Sequence, residues 1–301
     1  MDLLYDKDVT LFVDGTFRAV PRGFAQCFVL MALEHRSGLY IPVYFVLTTD
    51  RTEDTYFDVL HNIFQSTGQK LKPGKIVCDF EGALINALKT QFPKAKVIGC
   101  LFHFKQAVRR KMKKLGISNE QASIAMACGC LDMLTVIELD KIVSHGIPWV
   151  IAEIQKKCKA RKVVYATAKW AAFWKYFDST WIHRYPPKLW NVHGFAKHLV
   201  IRTNNPLERF NRELNAAVPS PHPKLPVFVA TISKLAARYA QQLESVRKKR
   251  SKKKKREPIA FRLPKPIVFG GNEFVASDDS GCTEDASDGA ESSEGSDDDD
   301  N

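Results

Sequence analysis

Two short apolar segments that each end in an aspartate constrain this sequence most. Leu11–Val13 is followed by Asp14 and Gly15, and Lys75–Cys78 is followed by Asp79. Such segments are typical of buried strands in an α/β sheet. Because an unpaired buried charge is costly, we expect Asp14 and Asp79 where their strands emerge, at the edge where open sheets bind ligands. Taken alone, Asp14 is better explained as a turn aspartate before Gly15.

The order of the remaining elements predicts a mixed α/β sheet flanked by helices. Three strands come first, and helices and strands then alternate. The predicted strands are Leu11–Asp14, Ala25–Glu34, Leu39–Leu47, Lys75–Cys78 and Lys96–Cys100. Helical spacing of apolar residues begins near Thr52, Glu81 and Leu101. In the first of these helices, the predicted buried stripe is Phe57, Leu60, Ile63 and Phe64.

The second half of the chain is predicted to be helical. Ser118 and Gln121 form a capping box before an apolar run. Aromatic residues then recur at helical spacing, which indicates a core rather than a surface for stacking bases. They are Trp170, Phe173, Trp174, Phe177 and Trp181. Two later helices are predicted over 204–217 and 224–250.

Charge is distributed unevenly along the chain. The formal net charge is +12, yet residues 277–301 contain eleven acidic residues and no Lys or Arg, so the rest carries +23. A body this basic indicates a polyanionic partner, nucleic acid first. Nine of the ten residues in 247–256 are basic, which predicts a nuclear-import signal for importin or a phosphate-binding arm, with a solubilising run as the alternative. Residues 257–301 are predicted to form a disordered acidic tail.

The sequence also limits the compartment. It contains no run of 18 apolar residues, so no membrane-spanning helix is expected, and the N-terminus shows no signal-peptide pattern. Seven cysteines at irregular spacings do not resemble a disulfide framework. A reducing compartment is therefore expected.

A metal site needs more than the two aspartates. Two carboxylates held close together repel each other, and divalent cations remove that repulsion. Oxygen ligands suit Mg²⁺ or Mn²⁺, and two such ions can hold the attacking and leaving oxygens of a phosphodiester. Such a site usually includes a third carboxylate.

Glu208 is the candidate for the third carboxylate. Asn204 or Asn205 can cap its helix, and Pro206 suits the first turn. The buried stripe is predicted to be Leu207, Phe210 and Leu214, with Glu208 at its edge. Taken alone, Glu208 is better explained as an acid that favours a helix N-terminus.

Four segments resemble the transposase domain of Mutator-like elements, the MULE family. They are LFVDGTF at 11–17, IVCDFEGALINAL at 76–88, IGCLFHFKQAVRRKM at 98–112 and RTNNPLERFNRELN at 202–215. The resemblance implies a transposase domain over 8–217 with a ribonuclease-H-like fold and an all-α insertion at 118–197. It also implies a DDE triad of Asp14, Asp79 and Glu208 that binds two Mg²⁺ or Mn²⁺ ions.

Further site candidates follow from the same resemblance. Cys100 and His103 match the family's Cys-x-x-His signature, which implies that His103 contacts substrate or orients a carboxylate. A zinc site with Cys128 and Cys130 is the weaker alternative, because the spacings lack paired knuckles. We therefore expect Cys100 to be a buried thiol. Glu81 is another candidate, although an acid at a helix N-terminus explains it equally well.

Basic residues are predicted to contact DNA phosphates without reading sequence. They lie on the helix that carries Lys105–Lys114 and at Arg202, Arg209 and Arg212. The implied reaction is metal-dependent DNA cleavage followed by strand transfer in the nucleus. Because two element ends must be joined, we expect self-association as a dimer.

One departure from the family pattern concerns DNA recognition. Members of the family usually carry a sequence-specific DNA-binding module before the catalytic domain, and here the first strand begins near Val9. We therefore expect that module to be missing. The main alternative function is a domesticated nuclear protein that binds DNA and regulates without cutting. A third is a chromatin-interaction protein that uses the acidic tail.

Overall fold

A five-stranded mixed sheet forms the centre of the protein. The structure, a computed structural model, describes residues 2–6, 8–194, 205–218, 220–248, 264–267 and 269. The strands are β1 Thr10–Thr16, β2 Gln26–Glu34, β3 Leu39–Thr48, β4 Lys75–Cys78 and β5 Lys96–Gly99. Their order is β3-β2-β1-β4-β5. Pairs β1–β2 and β2–β3 are antiparallel, whereas β1–β4 and β4–β5 are parallel. The predicted mixed α/β sheet is confirmed.

Eight α-helices are described. They are α1 Glu53–Ser66, α2 Gly82–Gln91, α3 Leu101–Lys114, α4 Asn119–Met126, α5 Ile147–Ala160, α6 Thr167–Phe177, α7 Asn205–Ala217 and α8 Leu225–Arg247. Short 3₁₀ or π segments lie at Asp2–Tyr5, Leu131–Thr135, Ile142–Gly146, Asp178–Arg184 and Pro187–Leu189. Between Asn119 and Leu189, all of the secondary structure is helical. No helix within the described ranges is both long and apolar enough to cross a membrane.

Local sequence signals account for several of these boundaries. Thr52 caps α1 by accepting a hydrogen bond from the Thr55 N–H, and Ser118 caps α4 in the same way. Gly38, at a φ of 74°, closes the β2–β3 hairpin. Its N–H donates to the Glu34 carbonyl at 2.8 Å, which suits a glycine because the left-handed conformation is costly for other residues.

Helices cover both faces of the sheet. On β2, Phe28 contacts the ring of Tyr56 in α1. Phe45 of β3 contacts the ring of Phe210 in α7 and pairs with Val29 of β2, so Phe45 and Val29 share a face. Because Phe28 and Val29 are successive strand residues, they point to opposite faces. Therefore α1 and α7 pack on opposite sides of the sheet.

The helical part packs through its aromatic residues. Phe104 of α3 lies 4.6 Å from the ring of Trp181 and 5.4 Å from that of Trp190. Trp170, Phe173, Phe177 and Trp181 are at most 1% exposed. The predicted aromatic core is therefore present. The buried face of α1 consists of Tyr56, Val59, Leu60 and Ile63. Leu60 and Ile63 are thus confirmed, whereas the predicted Phe57 and Phe64 are half-buried.

The predicted tail is corrected in one place. Residues 264–267 and 269 fall inside the predicted disordered segment, yet Pro264 is buried and the Phe269 ring lies 5.5 Å from His145. The disordered tail was therefore predicted to begin too early, because this short apolar stretch finds a packing surface. Most of the remaining tail, and all but Arg247 and Lys248 of the basic run, lie outside the described residues.

Candidate active site

Asp14 lies inside β1 and not beyond its end. It pairs with Val29 of β2 and is only 7% exposed. Its Oδ1 accepts a hydrogen bond from the Gly15 N–H at 2.9 Å. The prediction that Asp14 lies outside the core was therefore wrong, although Asp14 follows the last β1–β4 pair, Phe12 with Val77, and so lies at the predicted edge beside β4. Because Val29 shares a face with Phe45, the Asp14 side chain lies on the α7 face of the sheet.

The parallel pairing of β1 with β4 brings Asp79 beside Asp14. The last pair in the register joins Phe12 to Val77. Asp14 and Asp79 each lie two residues further along, so they stand at the same level and on the same face. The Asp79 Oδ1 accepts the Glu81 N–H at 3.2 Å, which holds the carboxylate at the start of α2.

Glu208 reaches the same region from α7. Leu207, Phe210 and Leu214 are fully buried as predicted, and they fix the helix against the sheet. Glu208 is half-buried at the edge of this stripe. Within the described part of the chain, its Oε1 is buried and has no hydrogen-bond partner. Burial raises the pKa of Glu208 from 4.5 to about 7, and the charge of Arg212 opposes this rise.

These carboxylates act on one another. The pKa of Asp14 is raised well above its ordinary value, first by burial and then by repulsion from Asp79 and Glu208. Glu81 adds a smaller repulsion, and the Gly15 N–H partly offsets the rise. The charges of four acidic groups from β1, the β4–α2 connection and α7 thus interact. Their mutual repulsion favours either protonation of a carboxylate or binding of a cation.

A buried hydrogen-bond chain positions Glu81. Gln26 donates from Nε2 to the Tyr56 hydroxyl at 2.9 Å, and Tyr56 donates to the Glu81 Oε2 at 2.9 Å. A Cβ at Gly15 would lie 2.3 Å from the Gln26 Oε1, so the Gly that follows Asp14 makes room for this chain. Tyr56 was missed because its neighbour Phe57 was predicted to be buried in its place.

Phe80, between Asp79 and Glu81, anchors the acidic loop to the helical part. Its ring lies 4.8 Å from that of Trp181 and 5.5 Å from that of Tyr185, both edge-to-face. A Cβ at Gly99 would lie 2.3 Å from the Phe80 ring. The ring therefore fills a closely fitted space that only glycine at position 99 leaves open.

Cys100 and His103 lie at the start of α3, next to Glu208. Cys100 is fully buried, as expected, and its N–H donates to the Cys78 carbonyl at 2.8 Å. One donor atom from each of Cys100, His103 and Glu208 lies within 4.8 Å of the other two. Cys128 and Cys130, the partners of the weaker zinc alternative, are not part of this group. Burial, helped by the charge of Arg110, lowers the pKa of His103 to about 4.

The basic candidates divide into structural and exposed residues. Lys105 pairs with the buried carboxylate of Asp132 at 3.1 Å, an ion pair that joins α3 to the segment Leu131–Thr135. Arg209 is half-buried, and its charge acts on Tyr239 of α8. Arg202 and the Asn205 side chain lie outside the described residues. The exposed basic residues of α3 are Arg109, Arg110, Lys113 and Lys114.

The acidic group fits a hard divalent cation. Carboxylate oxygens are the ligands that Mg²⁺ and Mn²⁺ prefer. A divalent cation would neutralise the repulsion that raises the pKa of Asp14. It would also give the buried Glu208 Oε1 a partner that the described residues do not provide.

Residues 10–107 match the family model described as MULE transposase domain. This segment runs from β1 into α3 and contains Asp14, Asp79, Cys100 and His103, whereas Glu208 lies beyond it. The resemblance seen in the sequence is confirmed for this segment. A comparison of the chain with curated proteins gave no match.

Proposed function

We propose that this chain is a transposase-like catalytic domain that cuts a DNA phosphodiester with two divalent metal ions held by Asp14, Asp79 and Glu208. The observation that carries the proposal is that Asp79 and Glu208 lie close enough to Asp14 for their charges to raise its pKa inside the sheet. The match of residues 10–107 to the MULE transposase domain gives the reaction class.

The strand order supports a ribonuclease-H-like fold as part of this proposal. Three antiparallel strands are followed by two parallel strands, and helices cover both faces. The shared level of Asp14 and Asp79 follows from the parallel pairing of β1 and β4. The helical segment from Asn119 to Leu189 precedes Glu208 in the chain, as expected for an insertion before the third acidic residue.

In this mechanism the protein supplies position and charge. Two Mg²⁺ or Mn²⁺ ions, when bound, would stabilise charge on the attacking and leaving oxygens of the phosphodiester. β1 fixes Asp14, the Glu81 N–H orients Asp79, and the buried stripe of α7 presents Glu208. The three carboxylates are not gathered as tightly as the donors of Cys100, His103 and Glu208.

His103 and the exposed cations complete the proposed site. With a pKa of about 4, His103 is neutral at physiological pH and orients the neighbouring Glu208 without repelling a metal ion. Arg109 and Lys113 of α3 are exposed and contact DNA phosphates, which positions the duplex without reading its sequence. The basic run at 247–256 directs the protein to the nucleus through importin, and two copies act together to join two element ends.

The test is nicking of supercoiled plasmid DNA with Mg²⁺ or Mn²⁺. We expect Asp79→Asn to lower the rate at least about a hundredfold, the scale of losing one charge-stabilising group. Asp58→Asn, which changes an exposed acid of α1, is the matched control and retains the rate. Both variants are checked for wild-type circular dichroism and thermal unfolding.

Two outcomes would contradict the proposal. Equal nicking by wild type and Asp79→Asn would remove Asp79 from the site. Tight DNA binding without cleavage at any metal concentration would favour the domesticated, non-cutting regulator instead.

A further inference from the structure

We propose that Cys100, His103 and Glu208 form a binding site for a borderline transition-metal ion, Zn²⁺ by its donor set, which joins the start of α3 to α7. This site is distinct in chemistry from the oxygen-ligand site proposed above. Its occupancy does not require that the protein cleave DNA.

The distances between the donor atoms of Cys100, His103 and Glu208 are the first support for this site. One sulfur, one imidazole nitrogen and one carboxylate oxygen lie within 4.8 Å of one another. Zn²⁺ binds such donors at about 2.0–2.3 Å, which places neighbouring donors roughly 3.5 Å apart. Donor atoms at most 4.8 Å apart are therefore close to the spacing that one shared ion requires.

Two buried polar atoms that lack hydrogen-bond partners also support this metal site. Among the described residues, His103 Nδ1 and Glu208 Oε1 are buried and have no hydrogen-bond partner. Leaving a buried polar atom without a partner costs about 1–3 kcal/mol. The residues that carry these two atoms belong to the same donor group as the buried Cys100, as expected where one ion binds all three residues.

The donor types select the ion. A thiolate with an imidazole suits Zn²⁺ and other borderline or soft ions, whereas Mg²⁺ prefers oxygen ligands alone. Three protein ligands leave one tetrahedral position for water or substrate. The sequence shows only Cys-x-x-His, and the third ligand lies more than 100 residues away in Glu208, so the sequence offered only Cys128 and Cys130 as further partners and the zinc site remained the weaker alternative.

The site has a consequence for the proposed reaction. Glu208 belongs to both donor sets, so an ion held by Cys100 and His103 fixes the position of its carboxylate. Excess Zn²⁺ therefore competes with Mg²⁺ or Mn²⁺ for this side chain.

The experiment titrates the metal-free full-length protein with Co²⁺, a spectroscopic substitute for Zn²⁺. We expect a thiolate-to-cobalt charge-transfer band that saturates at one equivalent and is bleached by Zn²⁺. Cys100→Ser loses the band, whereas the matched control Cys128→Ser keeps it. A wild type without the band, or a Cys100→Ser variant that retains it, would overturn the proposal.

A second variant covers the case in which Cys100→Ser disturbs the buried packing. His103→Gln keeps the thiol and is expected to weaken Co²⁺ binding by at least about tenfold, the smallest loss typical of disturbed metal sites. Unchanged Co²⁺ affinity in His103→Gln contradicts the site. Because these measurements use no DNA, their failure is separate from a failure of the proposed cleavage.

Discussion

Asp14 and Glu208 are carboxylic acids that the fold holds away from water. Asp14 is 7% exposed within β1, and Glu208 keeps one buried oxygen without a partner among the described residues. Acids in such positions keep a proton unless a cation replaces it. The proposed metal ions and these protons therefore compete for the same oxygens.

The pKa of Glu208, raised to about 7, gives a pH dependence with a defined sign. Between its ordinary value of 4.5 and about 7, the folded state binds this proton more tightly than the unfolded state does. Without metal, the contribution of Glu208 to stability therefore falls as pH rises through that window. Metal affinity rises over the same window, because binding must release the proton.

Calorimetric titration with Mn²⁺ at pH 6.5 checks this prediction. Buffers that differ in ionisation enthalpy report the protons released. Wild type is expected to release more protons than Glu208→Gln, because the variant lacks the Glu208 proton and repels the Asp14 carboxylate less. Equal proton release by the two proteins contradicts the assignment of Glu208 as a metal ligand.

Tyr56 is the second prediction at the residue scale. Tyr56→Phe removes a hydroxyl that accepts from Gln26 and donates to Glu81. Two polar groups lose their partner, so the free energy of unfolding is expected to fall by about 1–3 kcal/mol. Urea denaturation measures the loss. Tyr5→Phe, at an exposed tyrosine, is the control and should change stability by less than about 0.5 kcal/mol.

At the scale of elements, the fold was easier to predict than the site. The strands were predictable because apolar segments between turn residues report burial directly. The burial of the Asp14 side chain was not predictable, because it depends on which strands flank β1 and on α7 covering the same face. The partner of Cys100 and His103 was also hidden, since only folding brings α7 to the start of α3. Tyr56 was missed because Tyr56 and Phe57 both fit the helical spacing of Leu60 and Ile63, and only packing decides which of them is buried.

The anchoring of the acidic loop by Phe80 gives a prediction at this scale. Gly99→Ala would bring a Cβ to 2.3 Å from the Phe80 ring, so β5 or the loop must shift. Overpacking of this kind costs about 1–3 kcal/mol, and displacement of Asp79 and Glu81 should weaken Mn²⁺ binding as well. Thermal unfolding and Mn²⁺ titration measure the two effects.

Gly82→Ala is the matched control for the Phe80 anchor. A Cβ at Gly82 meets nothing within 4 Å, and alanine favours the first turn of α2, so stability should rise by up to about 1 kcal/mol. The anchoring role of Phe80 is contradicted if Gly99→Ala leaves both stability and Mn²⁺ affinity unchanged.

At the scale of the whole molecule, opposite charges occupy different parts of the chain. Residues 277–301 hold eleven acidic residues, and the rest of the chain carries +23. Acidic residues on the same chain compete with DNA for the basic surface, and salt screens that competition. The acidic segment is therefore expected to lower DNA affinity most strongly at low salt.

Fluorescence anisotropy with a labelled duplex over a series of salt concentrations checks this prediction. Replacing the acidic residues of 277–301 by Asn and Gln keeps the length and should strengthen binding at low salt, with the difference shrinking as salt rises. Asn or Gln replacements at the ten Ser, Thr and Gly residues of the same segment are the control and should leave affinity unchanged. Identical salt dependence of the acidic and neutralised chains would contradict the competition.

The central claim, that Asp14, Asp79 and Glu208 hold divalent metal ions, is tested most directly by anomalous diffraction from crystals grown with Mn²⁺. We expect two anomalous peaks about 4 Å apart between these carboxylates, both absent in Asp79→Asn crystals. The absence of a peak among the three carboxylates at saturating Mn²⁺, or manganese only at Cys100 and His103, would contradict the proposed metal site.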